Sequence, residues 1–311
     1  MAASSVAKVF IDGEAGTVGL GIRQRLASVD GVELVSLAPE QRKDAGARRD
    51  VYGRVDLAIL CLPDDAAKDA VALANELPGQ GPKIIDASTA HRVAADWVYG
   101  FAELIEGQAE RIRTSRRVTN PGCYSTGALA LLRPLVSAGV LPADYPLAIN
   151  AVSGYTGGGK SMIADFESGA AAAFKLYGLT LEHKHLPEIG HYSGLARRPL
   201  FVPSVGNFAQ GMLVSVPLHL DALPSKPTAG DLEAILTAHY GGSSGRVVVR
   251  HPGDQLRTEI DAVALRDTDQ LELFVYGNDA HRQAVLVARL DNLGKGASGA
   301  AVQNLRLMLN R

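Results

Sequence analysis

Along the first third of the chain, short apolar runs alternate with stretches whose apolar residues fall three or four apart. Val6-Ala7-Lys8-Val9-Phe10-Ile11-Asp12 has strand composition, and beyond it Ile22, Leu26 and Val29 keep helical spacing. Between them lies Gly13-Glu14-Ala15-Gly16-Thr17-Val18-Gly19, so the pattern reads strand, glycine turn, helix. Further strands are predicted at 32–37, 55–60 and 83–86, with an alanine-rich helix at 66–77 before the last. Strands that alternate with helices predict an α/β fold with a doubly wound, Rossmann-like parallel sheet. From about residue 147 the texture changes. A glycine loop at 154–159, a predicted helix at 162–174 and alternating β-rich runs from 211 to 290 read as an α+β region with a large mixed sheet. The segment 294–309 carries Ala297, Ala300, Ala301, Leu305 and Met308 and predicts a helix that docks on another element. Surface loops are expected at 224–227 and 241–245.

Composition narrows the classes. With 311 residues the chain has room for two domains, each with its own core. Nearly half of it, 47%, is hydrophobic and the formal net charge is −2, which argues against a disordered chain and against a nucleic-acid partner. The apolar runs are strand-sized, well short of the roughly 20 residues of a membrane span, so no membrane partner is expected. Residues 1–5 lack a basic region followed by an apolar core, which predicts no secretory signal. Two cysteines in unlike surroundings do not suggest a disulfide framework, and a reducing cytoplasm is the expected location.

One of those cysteines stands out. Asn120-Pro121-Gly122-Cys123-Tyr124-Ser125-Thr126-Gly127 sets Cys123 behind a Pro-Gly break and before Ala128-Leu129-Ala130-Leu131-Leu132, which reads as a helix. The start of a helix presents backbone N–H groups and a partial positive charge that favour thiolate, so Cys123 is a candidate nucleophile with a pKa expected below the free value of about 8.5. Cys61 sits inside the apolar run 57–62 and is assigned to the core.

The glycines at 13, 16 and 19 would let the backbone approach a pyrophosphate whose charge meets the helix N-terminus. The spacing is G-x-x-G-x-x-G rather than G-x-G-x-x-G, and an ordinary tight connection is the alternative. After the second predicted strand the chain offers Arg42 and Lys43 where an NAD site would place an acid, which favours NADP. The alternative for Arg42, Lys43, Arg48 and Arg49 is a solvated basic loop.

His183-Lys184-His185-Leu186-Pro187-Glu188-Ile189-Gly190-His191 gathers three imidazoles and a carboxylate. They read as a metal site of His183, His185, Glu188 and His191, as a source of the acid/base partner for Cys123, or as surface histidines near a turn. In an extended segment His183 and His185 would share a face, while Pro187 argues against a regular helical i, i+4 metal motif.

With the glycine turn, the cysteine after Asn-Pro-Gly and His-x-His-x-Pro-Glu-Ile in this order, the chain resembles the N-acetyl-γ-glutamyl-phosphate reductase family, in its short branch, within the aspartate-semialdehyde dehydrogenase superfamily. The likeness spans nearly the whole chain. It includes 61–67, Asp86-Ala87-Ser88-Thr89-Ala90-His91-Arg92, Ser153-Gly154-Tyr155-Thr156-Gly157-Gly158-Gly159-Lys160 and Asp291-Asn292-Leu293-Gly294-Lys295-Gly296. Ala102, in Tyr99-Gly100-Phe101-Ala102-Glu103-Leu104, departs from the expected proline. The resemblance implies a nucleotide domain of 1–122 plus 292–311 and a catalytic, oligomerising domain of 123–291. It implies Cys123 as nucleophile and His183 as acid/base, with His185 second. NADP(H) would be held by Gly13, Gly16, Thr17, Val18, Gly19, Arg42, Lys43, Ser88, Asn292, Gly294 and Lys295. Arg92, Asn120, Ser153, Gly154 and Lys160 would bind a small acyl phosphate.

The implied reaction reduces N-acetyl-L-glutamyl 5-phosphate to the semialdehyde through a Cys123 thioester, in arginine biosynthesis, by a homo-oligomer, dimer or tetramer. The same chemistry on aspartyl or aminoadipyl phosphate is an alternative, as are a Cys/His hydrolase and a zinc-dependent enzyme.

Overall fold

The computed structural model describes residues 6–242, 245–251 and 258–311. Residues 1–5, and two residues of the loop expected at 241–245, lie outside the described residues. The chain divides into two compact units, Met1–Pro121 with Ala297–Arg311, and Gly122–Gly296.

In the first unit the strands are β1 (Ala7–Asp12), β2 (Val32–Val35), β3 (Leu57–Leu60), β4 (Lys83–Asp86), β5 (Val98–Tyr99) and β6 (Arg117–Thr119). They form one six-stranded sheet in the order β2-β1-β3-β4-β6-β5, and every pairing is parallel. Helices α1 (Thr17–Leu26), α2 (Ala45–Tyr52), α3 (Asp64–Asn75) and α4 (Gln108–Thr114) connect them. Strand alternation sends Val9, Ile11, Leu57, Ile59 and Ile85 into one apolar layer with Ile22, Leu26 and Ile112. Phe10, Ala58, Leu60 and Ile84 enter the other, with Tyr52, Ala67, Ala70 and Ala74. Both faces of the sheet are covered, which explains why these strands read as continuous apolar runs.

The second unit opens on α5 (Cys123–Ser137), followed by β7 (Ala148–Gly154), α6 (Gly159–Glu167), β8 (Phe174–Leu176), α7 (Leu186–Ser193), β9 (Leu200–Gly206), β10 (Met212–His219), α8 (Ala229–Tyr240), β11 (Val247–Arg250), β12 (Leu271–Asn278) and β13 (Gln283–Leu290). Its seven-stranded mixed sheet runs β11-β12-β13-β10-β7-β9-β8. Helix α5 lies against this sheet, and Gly127 is what lets it approach: a Cβ there would meet Val214 Cγ2 at 2.7 Å.

The helix expected over 162–174 is corrected. It ends at Glu167, Gly169 turns the chain at φ +76°, and Phe174 opens a strand. The helix expected over 294–309 resolves into a π-type turn, Gly294–Ser298, and α9 (Gly299–Leu309), which returns to the first unit. Residues 292–296, expected with the nucleotide domain, group with the second unit.

Candidate active site

The candidate residues fall into one group in each unit. In the first, β1 delivers the chain into the glycine turn and Gly16 is the N-cap of α1, with no side chain capping its first turn. The glycines differ in what requires them. A Cβ on Gly13, at φ +90°, would lie 2.3 Å from the Cys61 carbonyl oxygen, and one on Gly19 would lie 2.5 Å from the Gly13 oxygen. Gly16 would meet only the Gly13 oxygen, at 3.4 Å. The protein's own packing therefore requires Gly13 and Gly19 but leaves room above Gly16, where the N-terminus of α1, through Thr17 and Val18, can receive an anion.

The basic residues after β2 are not a solvated loop throughout. Arg42 Nη2 donates to Glu14 Oε1 at 2.7 Å, and its buried Nε has no hydrogen-bond partner in the protein. Arg48 holds buried Asp12 through two donors, while Lys43 and Arg49 are exposed. An orphaned guanidinium N–H and a cradle beside Gly16 fit a phosphorylated nucleotide.

Ser88 follows β4, and its hydroxyl donates to Asp86 Oδ2 at 2.8 Å. Arg92 is buried and donates from Nε to the Asn120 oxygen at 3.1 Å. Asn120 is tied to the closing segment, donating from Nδ2 to Ala297 O at 3.0 Å and accepting Asn304 Nδ2 at 3.3 Å. Cys61, assigned to the core, packs against it just past the end of β3, and burial, followed by the charges of Asp86 and Asp12, pushes its thiol up to about 12.

In the second unit Cys123 is the first residue of α5, behind an N-cap glycine with extended backbone and no side-chain cap. The Gly122 N–H instead donates to Glu188 Oε2 at 3.1 Å, on a carboxylate 1% exposed. Gly296 closes the other side: a Cβ there would lie 2.8 Å from the Cβ of Cys123. His183 and His185 stand in the turn that enters α7 rather than in an extended segment, yet their rings remain neighbours, centroids 4.8 Å apart. Tyr124 lies against both, at 5.7 and 5.8 Å. The His185 N–H donates to His183 Nδ1 at 3.2 Å, so the neutral His183 ring carries its proton on Nε2.

Pro187 occupies the first turn of α7, where a missing N–H costs nothing, and the helix runs on to Ser193. His191 is exposed on it while Glu188 turns inward, and among the described residues no three His, Cys, Asp or Glu side chains gather closely enough to hold a metal ion.

Two phenols escaped the sequence reading. Tyr177 donates to the Tyr124 hydroxyl at 3.1 Å, which donates to Ser204 O at 2.9 Å. Burial pushes Tyr177 up to about 12 and Tyr124 higher still, with the nearby Cys123 charge adding to both, so each stays protonated. The adjacency of Tyr124 to Cys123 was the one available signal. Ser153 is buried at the end of β7, and Gly154 has the Ala209 oxygen 2.4 Å from where its Cβ would stand. Lys160 is exposed at the start of α6. Asn292 clamps two loops, accepting Gly211 N–H at 2.9 Å and donating to Thr156 Oγ1 at 2.9 Å. Gly294 packs on Thr268 O, and Lys295 is 2% exposed.

Comparison with known proteins matches a segment of each unit to one family. Residues 123–292 match the family described as semialdehyde dehydrogenase, dimerisation domain, and residues 45–113 match semialdehyde dehydrogenase, NAD binding domain. A protein of Brucella ovis named N-acetyl-gamma-glutamyl-phosphate reductase is 54% identical over 310 residues, covering 98% of this chain and 99% of its own. A protein of the same name from Brucella abortus is likewise 54% identical over 98% of this chain and 99% of its own. Among solved structures, aspartate semialdehyde dehydrogenase II from Vibrio cholerae, complexed with ASA, shares the fold with a TM-score of 0.69 at 16% identity, covering 99% of each chain. Aspartate semialdehyde dehydrogenase with NADP from Candida albicans gives 0.66 at 14%, over 98% of this chain and 99% of its own. The chain belongs to the semialdehyde dehydrogenase family, among its N-acetyl-γ-glutamyl-phosphate reductases.

Proposed function

We propose that this chain reduces N-acetyl-L-glutamyl 5-phosphate to N-acetyl-L-glutamate 5-semialdehyde and phosphate, with NADPH as reductant, as a cytoplasmic step of arginine biosynthesis. The observation that carries the chemistry is Cys123 at the uncapped start of α5, with the adjoining Tyr124 ring against a pair of histidines and Gly296 close over the Cys123 Cβ. Relatives 54% identical over 98% of the chain, named for this reaction, support the substrate.

The Cys123 thiolate attacks the acyl carbon, the C–S bond forms, and the C–O bond to phosphate breaks with its electron pair leaving on phosphate. When bound, the nicotinamide cofactor supplies the hydride that turns the thioester into a thiohemiacetal oxyanion. His183, the acid/base group of this reading, donates from Nε2 to that oxygen as charge develops, and backbone N–H groups at the start of α5 add to the field. His183 then takes that proton back at Nε2 as the carbonyl re-forms and the C–S bond breaks, its electron pair leaving on Cys123 as thiolate. Arg92, Asn120, Ser153, Gly154 and Lys160 remain the proposed contacts for the phosphate and α-carboxylate. Gly13 to Gly19, Arg42, Lys43, Ser88, Asn292, Gly294 and Lys295 remain those for the cofactor.

The chain also acts as a homo-oligomer in this reading. Phe174, Leu176, Leu179, Leu181 and Leu200 are exposed at and beside edge strand β8, within the residues matched to the dimerisation domain. Sedimentation of the wild type against Leu176→Glu/Leu179→Glu tests it, and a wild-type monomer at micromolar concentration refutes it.

The deciding experiment follows NADP⁺ reduction by purified protein with N-acetylglutamate semialdehyde, with and without inorganic phosphate. Phosphate-dependent reduction is expected. Activity only with aspartate semialdehyde or the one-carbon-longer homologue would keep Cys123 and move the substrate.

A further inference from the structure

Glu14 lies inside the glycine turn, and both of its oxygens are taken. Oε1 accepts Arg42 Nη2 at 2.7 Å, while Oε2 accepts Arg23 Nη1 at 2.7 Å and Ser36 Oγ at 3.0 Å. Arg23 Nη1 also reaches Ser36 Oγ at 3.0 Å, closing the cluster. Ser36 directly follows β2, Arg23 projects from α1, and Arg42 follows a short 3-10 turn at Pro39–Gln41. These elements surround the end of the second strand, where the adenosine ribose lies in folds wound this way.

A carboxylate bridging two guanidinium groups is an internal anion, and its donors suit a phosphate at least as well. Two guanidiniums against one carboxylate leave the cluster a net positive charge, which favours a dianionic phosphate over a neutral ribose hydroxyl. Arg42 also keeps its Nε buried and unsatisfied, so Glu14 does not exhaust the edge that a phosphate would engage.

We propose that Glu14 is an internal stand-in for the 2′-phosphate of NADP(H). It holds Arg23 and Arg42 in position beforehand, gives them up when the phosphate arrives, and so sets how strongly the chain prefers NADP to NAD. The proposal rests on the cofactor reading above.

The test is calorimetric titration with NADP⁺, NAD⁺, 2′,5′-ADP and 5′-AMP of the wild type, Glu14→Gln, Arg42→Gln and the double variant. Wild-type preference for the 2′-phosphorylated member of each pair tests the cofactor reading alone, and its absence overturns that reading and the proposal together. Given that preference, Glu14→Gln is expected to tighten NADP⁺ and 2′,5′-ADP about three- to tenfold, the scale of one competing ion pair, and to move NAD⁺ and 5′-AMP less than about twofold. Arg42→Gln is expected to weaken the phosphorylated ligands about tenfold and to abolish most of the gain from Glu14→Gln. Unchanged or weaker NADP⁺ binding in Glu14→Gln overturns the proposal and leaves the cofactor reading standing. Selective loss of NAD⁺ and 5′-AMP overturns it too, making Glu14 a ribose ligand.

Discussion

Helices α1 and α5 begin alike and end in different chemistry. Each follows a parallel strand and a glycine N-cap with extended backbone, and neither has a side chain capping its first turn. At α1 the space over Gly16 is open and basic side chains stand nearby, so the positive end of the helix faces outward, where the proposed nucleotide phosphate would bind. At α5 the N-cap N–H is already spent on buried Glu188, the helix is apolar almost all round, and a thiol occupies the first position. In the proposed mechanism the same backbone field serves a reversible ligand in one unit and a covalent nucleophile in the other. What separates them is which side chains the chain places at the helix start.

The largest expected effect is at α5. Cys123→Ser should lower turnover by about four orders of magnitude while circular dichroism and nucleotide affinity stay as in the wild type. A rate within tenfold of normal would break the comparison outright. His183→Asn should cost about a hundredfold in kcat and His185→Asn clearly less, because the His185 N–H sets the reacting nitrogen of His183 and survives its own substitution. The reverse order would exchange their roles.

At α1, Gly13→Ala and Gly16→Ala should separate cleanly in denaturant melts and nucleotide titrations. Gly13→Ala meets a carbonyl oxygen at 2.3 Å with positive φ and should lose about 2–4 kcal/mol of stability. Gly16→Ala should change stability by less than about 0.5 kcal/mol and weaken nucleotide binding about tenfold. Equal stability loss at both sites would show that Gly16, too, serves packing.

Glu188→Gln should keep its melting temperature, since an amide oxygen still accepts the Gly122 N–H, and should speed iodoacetamide alkylation of Cys123 severalfold at pH 7, because a carboxylate at the start of α5 opposes the thiolate. The smallest effect concerns the other thiol. Cys61, raised to about 12, stays a thiol at neutral pH and should resist iodoacetamide at pH 7, leaving a single modified cysteine at 123 by mass spectrometry.

Much of this is legible in the sequence. The parallel sheet announced itself because strands covered on both faces are apolar throughout, and the glycine turn and Cys123 because their backbone demands unusual residues. Phe174 was read into a helix since the alanines before it favour one; pairing with β9 overrode that preference. Glu188 looked like a metal ligand in a row of histidines, and only α7 turning it inward against Gly122 reveals its task. Nothing local marks Glu14, because its partners, Arg23, Ser36 and Arg42, are spread along the chain and meet only once β2 lies beside β1. Period and composition report local preferences, and these three depend on neighbours brought from elsewhere.

Helix α9 adds Ala301, Val302, Leu305 and Met308 to the layer that holds Val9, Ile11 and Ile22, and each of the larger side chains contributes about 1.5–3 kcal/mol by its burial. The first unit is therefore interrupted, and its core stays open until that helix has been made, whereas Gly122–Gly296 is one continuous segment. On the ribosome the order of maturation runs against the order of synthesis: the unit that carries the cysteine can close first, and the unit translated first must wait, one face of its sheet covered only by α1 and α4, for the last helix of that layer.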